Sequence, residues 1–341
     1  MSTLLFVLRR LSHSVFVLVG LSILIFVLAR VMPGDPARLT LGPLATSEQV
    51  EKLSQEMNLD KPIYLQYYIW LKSALRGDFG KSLITRRPIA QDIATFLPAT
   101  LELAFAAFII SVVIGQLLGI GAGQARNSWF DNLARMVSYA GVVTPPFVFA
   151  IFFLLIFSYA LGFVPPVGRL SMALAAPPTV TGFLVLDGMI AGDARVVLDA
   201  IMHLILPAAS LAMMALAGEA RITRSSIADN LGKDYVAAHR VYGIPRRQVM
   251  FKYLLKPSII PTVAIIGLDF AAMLSNAFLV EKVFMWPGFS RYGIDAMLNK
   301  DLNAIVVVIL VLGVAFLTVN VVVDILIGLL DPRIRFRSGG S

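Results

Sequence analysis

The chain has 341 residues, of which 58% are hydrophobic and only 15% are charged. A soluble domain carries about 25% charged and about 45–50% apolar residues, and here the apolar excess lies in long uncharged runs, as in membrane proteins. The absence of cysteine excludes disulfides, thiolate metal ligands and a cysteine nucleophile. The net charge of +8 does not indicate nucleic-acid binding, because the basic residues flank apolar runs as membrane topology requires.

Six apolar segments are long enough to cross a bilayer, which takes about 20 residues in a helix. Backbone groups must be paired within the segment in lipid, so each is predicted to be helical. The segments are roughly 11–31, 99–122, 136–160, 199–217, 259–280 and 303–330. The stretch 172–191 contains two prolines and an aspartate and is predicted to lie outside the membrane or at its interface. The predicted fold class is therefore an all-α polytopic membrane protein.

The distribution of Lys and Arg predicts the orientation. Basic residues concentrate in 218–258, in 123–135 and near both termini, which lie on one side if there are six spans. The positive-inside rule makes that side cytoplasmic. The first apolar run exceeds the about 7–15 residues of a signal peptide, so we expect an uncleaved helix.

This topology predicts four regions. They are a cytoplasmic N-terminus with the first transmembrane helix (1–31), an external subdomain (32–98), a transmembrane core with a cytoplasmic loop at 218–258 (99–330), and a cytoplasmic tail (331–341).

The cytoplasmic segment 218–258 is too long for a simple connector. We predict one helix near 226–241 that ends at Gly243, a favoured residue after a helix. A second helix is expected to start at Pro245, a favoured first helical position, and to run to about Lys256. Such a basic helix pair fits either a docking surface for another protein or a loop that binds anionic lipid.

Polar residues inside the predicted spans are candidates for lining a pathway. An acid at the bilayer centre costs about 2.5–3.5 kcal/mol, so it should face protein or water. Thr262, Asp269 and Asn276 are spaced by seven and share one face of the fifth span. Glu102 and Gln116 share a face of the second span. The alternative is interhelical hydrogen bonding, or, for Glu102, a charge near a helix end that reaches the interface.

Three glycines form a small-residue ridge on the second span. Gly115, Gly119 and Gly123 are spaced by four, which permits close helix packing. That packing is expected within the chain, with contact to a second chain as the alternative.

Catalytic and metal-binding motifs are not apparent in the sequence. Gly80-Lys81-Ser82 mimics the end of a phosphate loop, but the first glycine of that motif would fall at Leu75. The three histidines are far apart and lack metal-ligand spacing. A self-sufficient secondary transporter or channel would show internal repeats and midplane charges, and an intramembrane enzyme would need paired catalytic groups inside the spans.

Motifs along nearly the whole chain resemble the first permease subunit of dipeptide, oligopeptide and nickel ABC importers. Ala237-Ala238-His239, followed by Gly243, stand where such permeases carry Glu-Ala-Ala and Gly, although the motif Glu is absent. The more specific segments, in chain order, are Met32-Pro33-Gly34-Asp35-Pro36, Arg76-Gly77-Asp78-Phe79-Gly80-Lys81-Ser82, Arg87-Pro88, Leu97-Pro98-Ala99-Thr100-Leu101-Glu102-Leu103, Asp234-Tyr235-Val236, Val283-Phe284-Met285-Trp286-Pro287-Gly288-Phe289 and Leu330-Asp331-Pro332-Arg333-Ile334-Arg335.

The resemblance implies a type I ABC importer permease in the bacterial inner membrane. It implies a similar sister permease, two cytoplasmic ATPase subunits that hold ATP and Mg, and an extracytoplasmic binding protein. The chain itself would bind no cofactor and would not be an enzyme. Short peptides are the expected substrate, with nickel chelates, glutathione or oligosaccharides as alternatives. The residues expected to couple the chain to the ATPases are Asp234, Tyr235, Ala237, Ala238, His239 and Gly243.

Overall fold

The computed structural model describes residues 3–31, 38, 45–56 and 58–330. The described residues form α1 Thr3–Val31, α2 Ser47–Glu56, α3 Ile63–Ala74, α4 Ile89–Gln124, α5 Trp129–Val143, α6 Pro146–Phe153, α7 Leu184–Ile190, α8 Ala194–Leu231, α9 Asp234–Val241, α10 Arg246–Gln248, α11 Leu255–Val283, α12 Phe289–Leu298 and α13 Leu302–Leu330. Two π-helical stretches, Leu154–Ala160 and Val249–Leu254, continue α6 and join α10 to α11. The predicted tail 331–341 and most of 32–44 lie outside the described residues.

The predicted all-α membrane fold is confirmed. Five helices among the described residues are long and apolar enough to cross a membrane, and a bent pair makes a sixth if it counts as one span. Five of the six predicted segments fall within α1, α4, α8, α11 and α13. The helices α4 and α8 run well beyond their predicted apolar segments, to 36 and 38 residues.

The third predicted span, 136–160, is not one straight helix. It is split into α5 and the α6 segment, and the chain bends by 113° between them. Thr144 and Pro145 both precede a proline, and both are extended, with ψ of 124° and 146°. A following proline disfavours the helical region, so two in succession break the helix.

The predicted helices of the cytoplasmic segment also differ from the structure. The region 226–241 is not a single helix, because α8 continues to Leu231 and a turn at Gly232 separates it from α9. Pro245 lies one residue before α10 instead of inside it. The helix that follows does not end near Lys256, and Pro261 lies within α11.

The chain divides into two compact units. The first comprises 1–100 and 287–321. Its core contains Ile89, Phe289 and Val307, all fully buried, together with neighbouring residues of α12 and α13. The α1 and α3 helices meet through an aromatic group in which Phe26 lies 5.4 Å from both Tyr67 and Trp70 between ring centroids.

The second unit comprises 101–286 and 322–341, and α8 is its central helix. The helices α5, α6, α7 and α11 all pack against α8. Two-thirds of its most apolar window is buried, compared with about a sixth for α1. A helix that is enclosed to this degree has little contact with lipid, and its polar side chains must therefore be satisfied by protein or by a bound solute.

Candidate functional site

Small residues allow α4 and α8 to approach closely. A Cβ atom at Gly119 would lie 2.7 Å from the Ala220 carbonyl oxygen, and one at Gly123 would lie 2.8 Å from Cβ of Ile227. A Cβ at Gly115 would lie 3.1 Å from a carboxylate oxygen of Glu219. The predicted ridge thus lies against a helix of the same chain, and the close approach brings polar side chains of α4 and α8 together.

A group of polar side chains lies where α4, α8 and α11 meet. We call it the polar cluster, and its members are Ser111, Gln116, Glu219, Thr223, Thr262 and Asp269. The Thr223 hydroxyl donates to Oε1 of Gln116 at 3.0 Å and is 2.8 Å from the Thr262 hydroxyl. Since Thr223 has one hydroxyl proton, Thr262 is the donor in the second bond.

The two acids of the polar cluster are Glu219 and Asp269. Glu219 is one helical turn before Thr223 and is fully buried. Its Oε1 accepts a hydrogen bond of 3.3 Å from the Ser111 hydroxyl. Asp269 on α11 is close enough for the two carboxyl groups to interact electrostatically. The structure therefore links Gln116 to Thr262 through Thr223 and brings Asp269 near Glu219. Neither Thr223 nor Glu219 was predicted.

Glu219 was missed because the predicted fourth span ended at residue 217. The helix in fact continues for 14 further residues, to Leu231. The available signal was the pattern around Glu219, since Ala215, Leu216, Ile222 and Thr223 lie three or four positions away and are small or apolar. That spacing places Glu219 on the buried face of a continuous helix.

The other two predicted pathway residues lie apart from the polar cluster. Asn276 is exposed and donates to the Ala272 carbonyl of its own helix at 2.9 Å. Glu102 forms an ion pair with Arg169 and accepts a hydrogen bond of 2.8 Å from the Val185 backbone N–H. Glu102 thus ties the connection between the third and fourth spans to α4.

That connection is held by buried charges. Arg169 also donates to the Gly182 carbonyl at 3.1 Å and lies over the Trp286 ring. Asp187 accepts three hydrogen bonds of 2.7–3.0 Å from the backbone and hydroxyl of Thr181 and the backbone of Gly182. Burial alone would raise the pKa of Asp187, but these hydrogen bonds outweigh it and hold the pKa below its usual value.

A second buried ion pair joins α5 to α8. Asp131, in the first turn of α5, is fully buried and accepts hydrogen bonds from Nε and Nη2 of the Arg224 guanidinium, the second at 2.8 Å. Ser128 caps the same turn by accepting the Asp131 backbone N–H. A bidentate pair of this kind fixes the geometry of both partners. The start of α5 is therefore attached to the C-terminal half of α8.

The predicted coupling residues lie on and around α9. Val236 is buried against Ile227, Val249 and Leu254, and the His239 ring stacks on Tyr253 at 4.0 Å between centroids. Gly243 has a φ of +70°, and the Ile244 backbone N–H donates to the His239 carbonyl at 3.1 Å. This is the bond pattern of a glycine-terminated helix, and the helix end predicted at Gly243 is confirmed.

The opposite face of α9 is exposed and largely apolar. Asp234, Ala237, Ala238 and Val241 follow the spacing of one helical face, and all four are exposed. Val241 is 86% exposed, and the following Tyr242 is 82% exposed. The helix α9 is therefore anchored on one face and exposes small apolar residues on the other.

Comparison with known proteins identifies the family. Residues 115–336 match the family described as "Binding-protein-dependent transport system inner membrane component", and residues 3–104 match its N-terminal counterpart. The chain is 37% identical over 327 residues to the probable D,D-dipeptide transport system permease protein DdpB of Escherichia coli (strain K12), covering 96% of each chain.

Two further relatives are similar over almost their full length. The di/tripeptide transport system permease protein DppB of Pseudomonas aeruginosa (strain UCBPP-PA14) is 37% identical, covering 97% of this chain and 98% of the relative. The glutathione transport system permease protein GsiC of Shigella flexneri serotype 5b (strain 8401) is 34% identical, covering 97% of this chain and 99% of the relative. The chain therefore belongs to the family of binding-protein-dependent transport system inner membrane components, the permeases of ABC importers.

Proposed function

We propose that this permease forms half of a translocation pathway that imports short peptides delivered by a binding protein. The three relatives described above are named for D,D-dipeptides, di- and tripeptides, and glutathione. All of these solutes are peptides of two or three residues, and this shared chemistry supports the substrate class. Nickel chelates and oligosaccharides are the competing outcomes of an uptake test.

The proposal includes partner chains that supply energy and the second half of the pathway. A similar sister permease pairs with this chain, and two cytoplasmic ATPases bind the ATP and Mg. The chain has no Gly-x4-Gly-Lys-Ser/Thr sequence that could cradle the phosphates. Both termini are cytoplasmic, the segment 32–98 is an external subdomain, and 218–258 is the cytoplasmic coupling loop.

The observation that carries the coupling proposal is the exposed apolar face of α9. Ala237 and Ala238 leave room for a partner to approach the helix backbone. The buried face of α9 packs on Val249 and Leu254, which lead directly into α11. A displacement of α9 by a partner is therefore transmitted to α11. A rigid-body movement of this kind can switch a permease between its inward- and outward-facing states.

The test is peptide uptake by the complete importer in liposomes, together with ATP hydrolysis stimulated by the loaded binding protein. Ala238→Glu places a charged side chain on the exposed face of α9 and should reduce both activities together. Ala90→Glu makes the same change at an exposed position in the first turn of α4 and serves as the control. Wild-type activity of Ala238→Glu would contradict the docking assignment.

Gly243→Pro is a second variant for the same question. Proline requires a φ near −65°, whereas Gly243 has a φ of +70°. The change should misplace α9, leave the chain in the membrane and abolish stimulation of the ATPases. A wild-type importer that moves nickel chelates or oligosaccharides but not di- and tripeptides would instead overturn the substrate assignment and leave the importer assignment in place.

A further inference from the structure

Three buried polar atoms of the polar cluster have no hydrogen-bond partner among the described residues. They are Oε2 of Glu219, Oδ2 of Asp269 and the amide nitrogen Nε2 of Gln116. Glu219 is fully buried, and Asp269 is half-buried. Buried polar groups in native proteins are nearly always paired, so three unpaired atoms in one cluster need an explanation.

Three arginines of the described residues near the cluster are engaged elsewhere or exposed. Arg224, one turn beyond the cluster on α8, is bound to Asp131. Arg169 is bound to Glu102, and Arg221 is exposed. Two neighbouring carboxyl groups in surroundings of low dielectric constant attract a cation strongly, and none of these three side chains supplies it.

The unpaired Glu219 oxygen faces a glycine of α4. A Cβ atom at Gly115 would lie 3.1 Å from that oxygen. On the same helix, Gln116 uses its oxygen to accept from Thr223, so its unpaired amide nitrogen can only donate. The cluster therefore offers two carboxylate acceptors and one amide donor to a bound group.

We propose that the polar cluster binds the protonated N-terminal amino group of the peptide in transit. The ammonium group has three N–H donors and no acceptor, which matches the free oxygens of Glu219 and Asp269. The carbonyl next to the ammonium group accepts from Gln116. The bonds from the ammonium group to the two carboxylates are charge-assisted hydrogen bonds, the stronger kind. The inference rests on the proposed function, because it requires a peptide to pass along α4, α8 and α11.

Neutral variants of nearly unchanged shape separate charge recognition from packing. Glu219→Gln and Asp269→Asn keep the volume of each side chain and one acceptor oxygen, but remove its charge and turn the second oxygen into an NH2 donor. Glu48→Gln removes the charge of an exposed acid on α2 and is the control. The complete importer in liposomes is assayed for ATP-dependent uptake of a labelled dipeptide and for ATP hydrolysis stimulated by the loaded binding protein.

We expect each neutral variant to reduce uptake by about tenfold or more, the size of effect of a lost charge-assisted bond. Stimulated ATP hydrolysis should stay near wild type, because docking and coupling are intact. Replacing Na⁺ by choline in the assay buffer should leave both uptake and ATP hydrolysis unchanged. Asp269 is only half-buried, so Asp269→Asn keeps the test valid if Glu219→Gln fails to fold.

Three results would overturn the inference. They are wild-type uptake by Asp269→Asn and by any folded Glu219→Gln, an equal loss of uptake and of ATP hydrolysis, and uptake that depends on Na⁺. The second result would assign the acids to coupling, and the third would assign the cluster to an inorganic cation. A wild-type importer without ATP-dependent dipeptide uptake would refute the proposed function instead, so the two failures are distinguishable.

Discussion

Replacing Gly119 by alanine tests whether α4 and α8 are in contact. The new Cβ would lie 2.7 Å from both the Ala220 carbonyl oxygen and the Thr223 Cβ. Carbon atoms in contact are about 3.5–4.0 Å apart, so α4 and α8 must separate by about 1 Å. Overpacking of this kind costs about 1–3 kcal/mol. The Ala220 atom belongs to the backbone and cannot move away as a flexible side chain would.

Gly218 on α8 provides a matched control. A Cβ at Gly218 meets nothing within 4 Å, although the residue is also inside a helix. Gly218→Ala should therefore stabilise the chain by about 0.5–1 kcal/mol, because alanine loses less conformational entropy than glycine in a helix. Gly119→Ala has the same entropic gain, so the difference between the two variants isolates the packing penalty of about 1–3 kcal/mol.

The assay is the midpoint of thermal unfolding of the importer in lipid nanodiscs, followed by intrinsic fluorescence at a single scan rate. A fixed rate is needed because unfolding of large membrane proteins is often irreversible. Gly119→Ala should unfold several degrees below Gly218→Ala, since about 1 kcal/mol shifts the midpoint by about 2–4 °C in chains of 150–250 residues. Equal midpoints for the two variants would refute the close approach of α4 and α8.

Three further predictions concern the buried charges. Glu102→Ala should destabilise the chain by about 3–5 kcal/mol, because Arg169 is left buried without its partner. It should also speed amide hydrogen exchange in the connection that holds Arg169, and unchanged exchange would contradict this prediction. Asp131→Asn should lower the free energy of unfolding by about 3 kcal/mol. Asp131→Asn combined with Arg224→Gln should lower it by less than the sum of the two single changes, and additive losses would exclude an interaction. Burial raises the pKa of Asp187, but its hydrogen bonds lower the pKa by more, so the net shift is downward. The ionised Asp187 therefore stabilises the fold above a pH of about 4, and this stabilisation is lost as the pH falls. Asp187→Asn should therefore flatten the acid side of the stability profile, and an unchanged acid side would contradict this.

The bent third span shows how far local sequence rules reach. Its apolar residues predicted a membrane segment, and the two successive prolines at 145 and 146 contained the information for a break. The direction and size of the bend follow from packing, because both α5 and α6 lie against α8. Proline chemistry thus determines where the helix ends, and tertiary contacts determine where the chain goes next.

The sequence by itself determined the all-α membrane fold, five of the six spans, the helix end at Gly243 and the family resemblance. These depend on composition, hydrophobic runs and local backbone preferences, which act over a few residues. Only the tertiary structure decided that Glu219 lies near Asp269, that Glu102 binds Arg169 and that Asp131 binds Arg224. Each of these pairs joins residues 50 to 93 positions apart in the chain, and no local pattern specifies which distant side chain will neutralise or face a buried charge.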